Sequence, residues 1–346
     1  AGAEGPRRPG RPRVRTALKW AAGGIAALVA LGVALFVGTR GDHSVPPLVT
    51  DDGTLPSRQV AGIALHMQIV EGPAAARTIV VLHGGAGGDF RSLLGLRALS
   101  DTHRVVFYDQ RGAGLSERVP AGRLTLGGYL EELDGVIDLT SPERPVVLIG
   151  HSWGAMLAAA YLGHRPDRVD RAVLIEPGYL DAEGRAAWTA RADRYMSGPA
   201  YGLAAVLNGF RAAHVTGPDS HAGDDFLIGR MVGVFANHPE NPYHCGEGYT
   251  APLRRFGALA GSLWRDAPAA DLRRIARGAA YQGPVLFLAG ACNDWTGARL
   301  QTRHAARFAD APVEAIPHAG HDVVWDKPDA SLRAIRRFLN GRGEAR

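Results

Sequence analysis

Lysine and cysteine are almost missing from this chain. Of its 39 basic residues only Lys19 and Lys327 are lysines, and it has two cysteines, Cys245 and Cys292. With abundant Ala and Gly, the arginine bias reads as the coding habit of a GC-rich genome rather than as a functional signal. Two cysteines are too few for a disulfide framework, and their spacing is wrong for a zinc knuckle. No metal-ligand cluster or nucleotide-binding signature stands out, so the sequence gives no reason to expect a cofactor.

Charge is also scarce outside the amino terminus. The formal net charge is +5, but residues 1–40 carry seven basic residues and one acidic one. That leaves −1 for the other 306 residues. A near-neutral body has no electrostatic footprint for a phosphate backbone, which excludes nucleic acid as a partner class. Hydrophobic residues make up 46% of the chain, ample for a sizeable core.

From Trp20 to Thr39 there is no charged residue at all. At about 1.5 Å rise per residue such a helix spans the roughly 30 Å of bilayer hydrocarbon. Arg7, Arg8, Arg11, Arg13, Arg15 and Lys19 precede it, a cluster that stays in the cytoplasm. The expected organisation is a basic tail (1–19), a membrane anchor (20–39) and a Pro-containing linker (40–56), with the body outside the cell membrane. A cleaved signal peptide, giving a secreted protein, is the competing reading, but Phe36-Val37-Gly38-Thr39-Arg40 is a poor cleavage site.

The body alternates strand-like and helix-like segments. Short apolar, β-branched runs at 78–82, 104–108, 146–149, 172–175, 285–288 and 313–316 suit strands buried on both faces of a parallel sheet. Helical patterns fall at 126–139, 153–164, 298–309 and 331–339, and 58–70 reads as earlier antiparallel strands. This alternation predicts a doubly wound α/β sheet, with core halves at 57–177 and 279–346. Residues 178–278 lack a buried strand and are rich in Ala, Arg and aromatics (Trp188, Tyr195, Tyr201, Phe210, Phe235, Trp264). An insertion that long is not a bare loop; it predicts a mainly helical cap.

The chemistry sits at the ends of the strand-like runs. Gly150-His151-Ser152-Trp153-Gly154 lies between the strand at 146–149 and a helix. That is the context in which Gly-x-Ser-x-Gly forms a nucleophile elbow, a turn too tight for side chains two residues either side of the serine. Ser152 is the expected nucleophile. His83-Gly84-Gly85-Ala86-Gly87-Gly88 follows the strand at 78–82. Acyl transfer builds charge on a carbonyl oxygen that backbone N–H groups must already face, and the expected donors are Gly85 and Trp153.

The acid and base should follow in chain order. Among 13 histidines, His321 lies just past the last strand, and Asp294 lies just past the strand at 285–288. Both occupy carboxyl ends of strands, where open α/β sheets place ligands. The expected triad is Ser152, Asp294 and His321. Glu176, at the end of the strand at 172–175, is the competing acid.

Tyr108-Asp109-Gln110-Arg111-Gly112-Ala113-Gly114-Leu115-Ser116 resembles the Asp-Gln-Arg-Gly-x-Gly-x-Ser signature of the proline iminopeptidase family of α/β-hydrolases. The His-Gly-Gly loop and Gly-x-Ser-Trp-Gly elbow belong to the same pattern, so the similarity covers about 60–177 and 280–340. It implies an α/β-hydrolase fold, Ser152, Asp294 and His321 as the triad, and residues 109–116 as a floor to the site. It also implies release of amino-terminal proline from small peptides, with acidic residues holding the free amine. Glu176 at the root of the cap and Glu247 within it are the expected carboxylates, among Glu183, Asp224, Asp225 and Glu240. The family loop usually has Pro where Ala86 stands.

An esterase or lactonase with an apolar cap pocket is the alternative activity, and a non-catalytic ligand sensor a remote one. An acidic patch at the cap mouth would favour peptides, an apolar one esters. In an extracytoplasmic domain a disulfide between Cys245 and Cys292 is permitted, tying the cap to the loop of Asp294; two separate thiols are the other outcome.

Overall fold

The computed structural model describes residues 12–245, 247–248, 250–263 and 267–341. Residues 1–11 of the basic tail and Trp264 of the expected cap lie outside this set.

The body is built on an eight-stranded sheet in the order β1-β2-β4-β3-β5-β6-β7-β8. The strands are β1 (Ser57–Val60), β2 (Ile63–Val70), β3 (Thr78–Leu82), β4 (Arg104–Tyr108), β5 (Val146–His151), β6 (Val169–Ile175), β7 (Val285–Gly290) and β8 (Val313–Ile316). β1 and β2 pair antiparallel, as do β2 and β4, and every later pairing is parallel. Every residue of β3, β5 and β7 is buried, as expected of strands covered on both faces.

Two apolar layers do the covering. On one face α2 (Leu126–Thr140) and α3 (Trp153–Leu162) pack with Val80, Leu82, Val106 and Leu148. Every residue of α3 is buried, so its sequence is apolar all round rather than along one stripe. On the other face α10 (Val323–Asp326) and α11 (Pro328–Asn340) pack with Ile79, Val81, Ile149 and Leu288. That layer also holds a 3₁₀ segment, Phe90–Asp101, absent from the sequence reading. Phe90, Leu93, Leu96 and Leu99 recur every three residues and are all buried, which is the repeat a 3₁₀ helix needs and an α-helix does not.

Between β6 and β7 lie α4 (Ala182–Tyr195), α5 (Gly198–Ala212), α6 (Ala222–Ala236), α7 (Ala258–Leu263) and α8 (Ala269–Ala276). Among its described residues the regular parts of this segment are helical, as the lack of a buried strand predicted. Asp181 caps α4, its Oδ1 accepting from the Gly184 N–H at 2.7 Å. A buried charge cluster fastens this cap to the core. Asp225 on α6 accepts from Arg118 of the core at 2.9 Å and from Arg255 Nε at 2.7 Å, and Arg255 also grips Asp219. α9 (Ala298–Ala305) follows β7.

Ahead of the sheet runs α1 (Pro12–Gly38). Its stretch Thr16–Gly38 has mean hydropathy 2.2 and is long and apolar enough to cross a bilayer. Among the described residues it is the one helix that is.

Candidate active site

Ser152 stands between β5 and α3 with φ 53° and ψ −116°, a strained conformation for a residue bearing a side chain. Its N–H donates to the Ile175 carbonyl at 2.8 Å. The flanking glycines are required by contact: a Cβ on Gly150 would lie 2.4 Å from the Gly154 carbonyl oxygen, and one on Gly154 2.2 Å from that of Leu82. The turn is thus held by backbone packed on backbone. Ser152 itself remains half-buried, while Trp153 opens α3 at the end where helix N–H groups lack intrahelical acceptors.

The Gly-rich loop lies directly on the elbow. A Cβ on Gly84 would come within 2.8 Å of His151 Nδ1 and 3.1 Å of Ser152 Cβ. Gly85 has φ +42°, and its carbonyl accepts from the Gly88 N–H at 2.5 Å in a tight turn. The two expected oxyanion donors, Gly85 and Trp153, therefore belong to neighbouring strand ends, those of β3 and β5.

His321 follows β8 and is 6% exposed. Its Nδ1 lies 2.7 Å from Glu176 Oε2, so the partner of this histidine is Glu176 and not Asp294. Asp294 is 72% exposed and its Oδ1 accepts from Arg191 Nη2 at 2.6 Å. The reason is local geometry. Glu176, just past β6, has φ +44° and is fully buried, which carries its carboxylate across the end of β7. Past β7 the tight turn sends Asn293 inward and Asp294 outward. Asn293 Nδ2 donates to Glu176 Oε2 at 2.7 Å, Thr296 Oγ1 to the same oxygen at 2.9 Å, and the Gly290 N–H to Oε1 at 2.7 Å.

These contacts also correct the expectation that Glu176 holds a substrate amine: both of its oxygens are engaged by protein donors. Burial pushes the Glu176 carboxyl above the usual carboxylate range, while His321, the Gly290 N–H and Thr296 pull the other way. Glu247, the other expected amine ligand, is exposed, and its N–H donates to the His244 carbonyl. Of the further cap carboxylates, Asp225 is consumed by arginines, Glu240 pairs with Arg194 at the surface, and Glu183 and Asp224 are exposed.

Tyr243 and Trp295, which the sequence reading passed over, complete the surroundings together with cap aromatics and the cysteine pair that it named. The Tyr243 ring stacks on His321 with centroids 4.0 Å apart and planes 14° apart, and the Tyr243 carbonyl accepts from the His321 N–H at 3.0 Å. Behind it Trp295, Trp188, Tyr195 and Phe235 form one aromatic cluster. Cys245 and Cys292 are joined in a disulfide, linking the end of the Tyr243 turn to the loop that carries Asn293. The unusual density of Tyr and Trp in the cap was the available signal; spacing alone could not assign their partners.

The motif at 108–116 works underneath. Asp109 Oδ2 lies 2.7 Å from His66 Nδ1 and accepts from the Leu115 N–H at 2.9 Å. Arg111 and Glu132 form a buried pair at 3.1 Å. Gln110 reaches both sides of the oxyanion region: its Nε2 donates to the His83 carbonyl at 3.1 Å, and its Oε1 accepts from the Trp153 indole at 2.9 Å. His151 Nε2 sits 2.9 Å from the His321 carbonyl, and burial, reinforced by the nearby His321, holds the His151 imidazole down at about 4. Among the described residues no group of three or more His, Cys, Asp or Glu side chains could hold a metal ion.

Residues 77–328 match a family described as alpha/beta hydrolase fold. A proline iminopeptidase of Heyndrickxia coagulans is 36% identical over 119 residues, 34% of this chain and 41% of that protein. The chain thus spans less than half the length of that relative. The esterase YbfF of Escherichia coli is 26% identical over 266 residues, covering 76% of this chain and 92% of the esterase. Among solved structures, a proline iminopeptidase-related protein from Thermus thermophilus superposes with a TM-score of 0.57 at 23% identity, over 82% of this chain and 95% of the other.

Proposed function

We propose that this chain, which belongs to the α/β-hydrolase fold family, cleaves a small uncharged acyl substrate through an acyl-enzyme formed on Ser152. The observation that carries the proposal is the buried 2.7 Å contact between His321 Nδ1 and Glu176. It fixes the tautomer with the proton on Nδ1 and leaves Nε2 to act as base. Ser152 Oγ attacks the substrate carbonyl and His321 Nε2 takes its proton. Glu176 balances the imidazolium, and the N–H groups of Gly85 and Trp153 receive the developing oxyanion. The proton then passes to the leaving group, and water repeats the sequence to free the acid.

An ester is the substrate class that suits this site best. The wall beside His321 is aromatic, and the cap carboxylates named above are either paired with arginine or turned to the surface. Release of amino-terminal proline is the second reading. It has its own support in the Asp-Gln-Arg-Gly motif and in the 36% identity to an iminopeptidase. A panel of short-chain nitrophenyl esters and prolyl- and alanyl-nitroanilides separates the two. Ester turnover without anilide turnover is the expected result; the reverse establishes the peptidase. Ser152→Ala lowers either activity by about 10⁶, and unchanged turnover in that variant removes the mechanism.

We place the body outside the cell membrane, anchored by the Thr16–Gly38 segment. Arg13 and Arg15 ahead of it and Lys19 in its first turn support that orientation, and a disulfide persists in an oxidising compartment.

A further inference from the structure

The cap helix α5 differs from its neighbours in having an apolar outer face. No residue from Ser197 to Phe210 is charged, whereas α4 carries Glu183, Arg185, Arg191, Asp193 and Arg194. The inner side of α5 packs on α6, where Asn208 is buried against Met231. On the outer side Leu203 is 61% and Val206 50% exposed, with Pro199 and Ala213 exposed on the same stripe. An exposed stripe of this kind on a soluble helix normally carries charge.

The apolar segment α1 runs against this helix. Gly32 and Leu35, in its last two turns, and Thr39 just past its end are half-buried, and α1 packs on α5. His214, just past α5, bonds the Phe36 carbonyl through Nε2 at 2.7 Å, and its ring lies 4.3 Å from that of Phe36. His43 extends the contact onto Phe226 of α6, with ring centroids 5.4 Å apart. The end of the span therefore meets the carboxyl end of α5.

From this we infer that α5 is an interfacial helix whose Leu203–Val206 face lies in the headgroup and upper acyl region of the bilayer crossed by α1. A helix carrying Leu, Val and Tyr beside the end of a span, with its one charge, Arg211, in the last turn and bonded to Asn208, has the chemistry of that zone. The inference rests on the anchor reading above. It adds that the cap, and not only the tether, touches lipid.

The full chain in phosphatidylcholine–phosphatidylglycerol vesicles tests this. Leu203→Cys, Val206→Cys, Val29→Cys in the span and Arg299→Cys on the exposed body are each labelled with an environment-sensitive fluorophore. Reductant is omitted, so the native disulfide stays closed. Quenching by lipids carrying a nitroxide near the headgroup should be at least about twofold stronger at 203 and 206 than at 299. If 203 and 206 behave like 299 while 29 is quenched from deeper acyl positions, the inference falls and the anchor stands. If 29 is as water-exposed as 299, the anchor reading fails and takes the inference with it. Disulfide-linked dimers of Leu203→Cys that persist on vesicle dilution would show a second copy covering this face, and would overturn the proposal.

Discussion

The two sides of the candidate site are held by different physics. On the side of β3 and β5, backbone lies on backbone: the glycines at 150 and 154 permit approaches that any Cβ would block. On the side of β6, β7 and β8, side chains hold side chains. Glu176 is pinned by Asn293, Thr296 and His321, and Tyr243 covers His321 from the cap. The first arrangement is stiff by sterics and can change only by repacking the sheet. The second depends on a saturated buried carboxylate and a cross-linked loop, so removal of single groups should show there most clearly.

The sharpest way to break this contrast is to exchange carboxylates for amides. Glu176→Gln removes the charge that balances the His321 imidazolium, and kcat should fall by about 10⁴, as when a triad acid becomes an amide. Asp294→Asn touches only the surface pair with Arg191 and should leave kcat within about twofold, since exposed pairs contribute little. Steady-state kinetics on the active chromogenic substrate checks both. A large loss in Asp294→Asn with an unaffected Glu176→Gln would reverse the assignment.

That pair of variants also marks where the sequence stops being legible. The strands at 78–82 and 104–108 fall at the observed limits, because continuous apolar, β-branched runs have few alternatives in a covered sheet; the edge strand at 313–316 does so too, although only Ile316 of it is buried. The elbow is readable for a related reason: backbone crowding demands glycine at fixed spacing, and fixed spacing is visible in one dimension. The acid is not. Glu176 and Asp294 both follow strands, and only the φ of +44° at Glu176 and the reversal between Asn293 and Asp294 decide which carboxylate faces His321. The partners of the cap aromatics were hidden likewise, since Tyr243 meets His321 across 78 residues of sequence.

The disulfide tests how far the side-chain-built half depends on its staple. It joins residues 47 apart in sequence, and losing a loop constraint of that size costs up to about 4 kcal/mol. Cys245→Ser together with Cys292→Ser should lower the urea midpoint accordingly. It should also lower kcat, through loosening of Tyr243 on His321. A double variant with unchanged midpoint and unchanged kcat would show that the aromatic cluster holds this half without the cross-link.

Acid should weaken both halves through buried imidazoles. Burial holds His151 at the site, and His304 on α9, down at about 4, against 6.5 in an unfolded chain. The charged form is disfavoured in the fold, so the stability attached to each group is complete above pH 6.5. It is lost as pH falls towards 4, by about 3 kcal/mol per histidine at the limit. Glu132, pushed up to about 7, and Asp89, pushed up to about 6, gain stability over the same range, so the histidine share is read by comparing urea midpoints of wild type and variant from pH 7 to pH 4. As pH falls through that range His304→Gln should lose less stability than the wild type, by about the share of one histidine, with His151 and the buried His83 still contributing. An unaltered slope would place the acid sensitivity elsewhere.

Gln110 offers the finest test, because its side chain crosses between the Gly-rich loop and the elbow. Its amide ties the His83 carbonyl to the Trp153 indole, and its backbone N–H donates to His83 Nε2 at 2.9 Å. The side chain touches the two elements that carry the expected oxyanion donors, so Gln110 is a positioning residue. Gln110→Ala keeps the backbone bond and releases the two side-chain ones. Donors that drift by a few tenths of an ångström serve the transition state less well while ground-state binding is little changed. The expected result is a fall in kcat of about tenfold to a hundredfold with KM nearly constant. Gln110→Glu should not rescue it, because a carboxylate cannot donate to the His83 carbonyl. An equal rise in KM with constant kcat would instead make the residue part of substrate binding, and the backbone-built half would then need no side-chain brace.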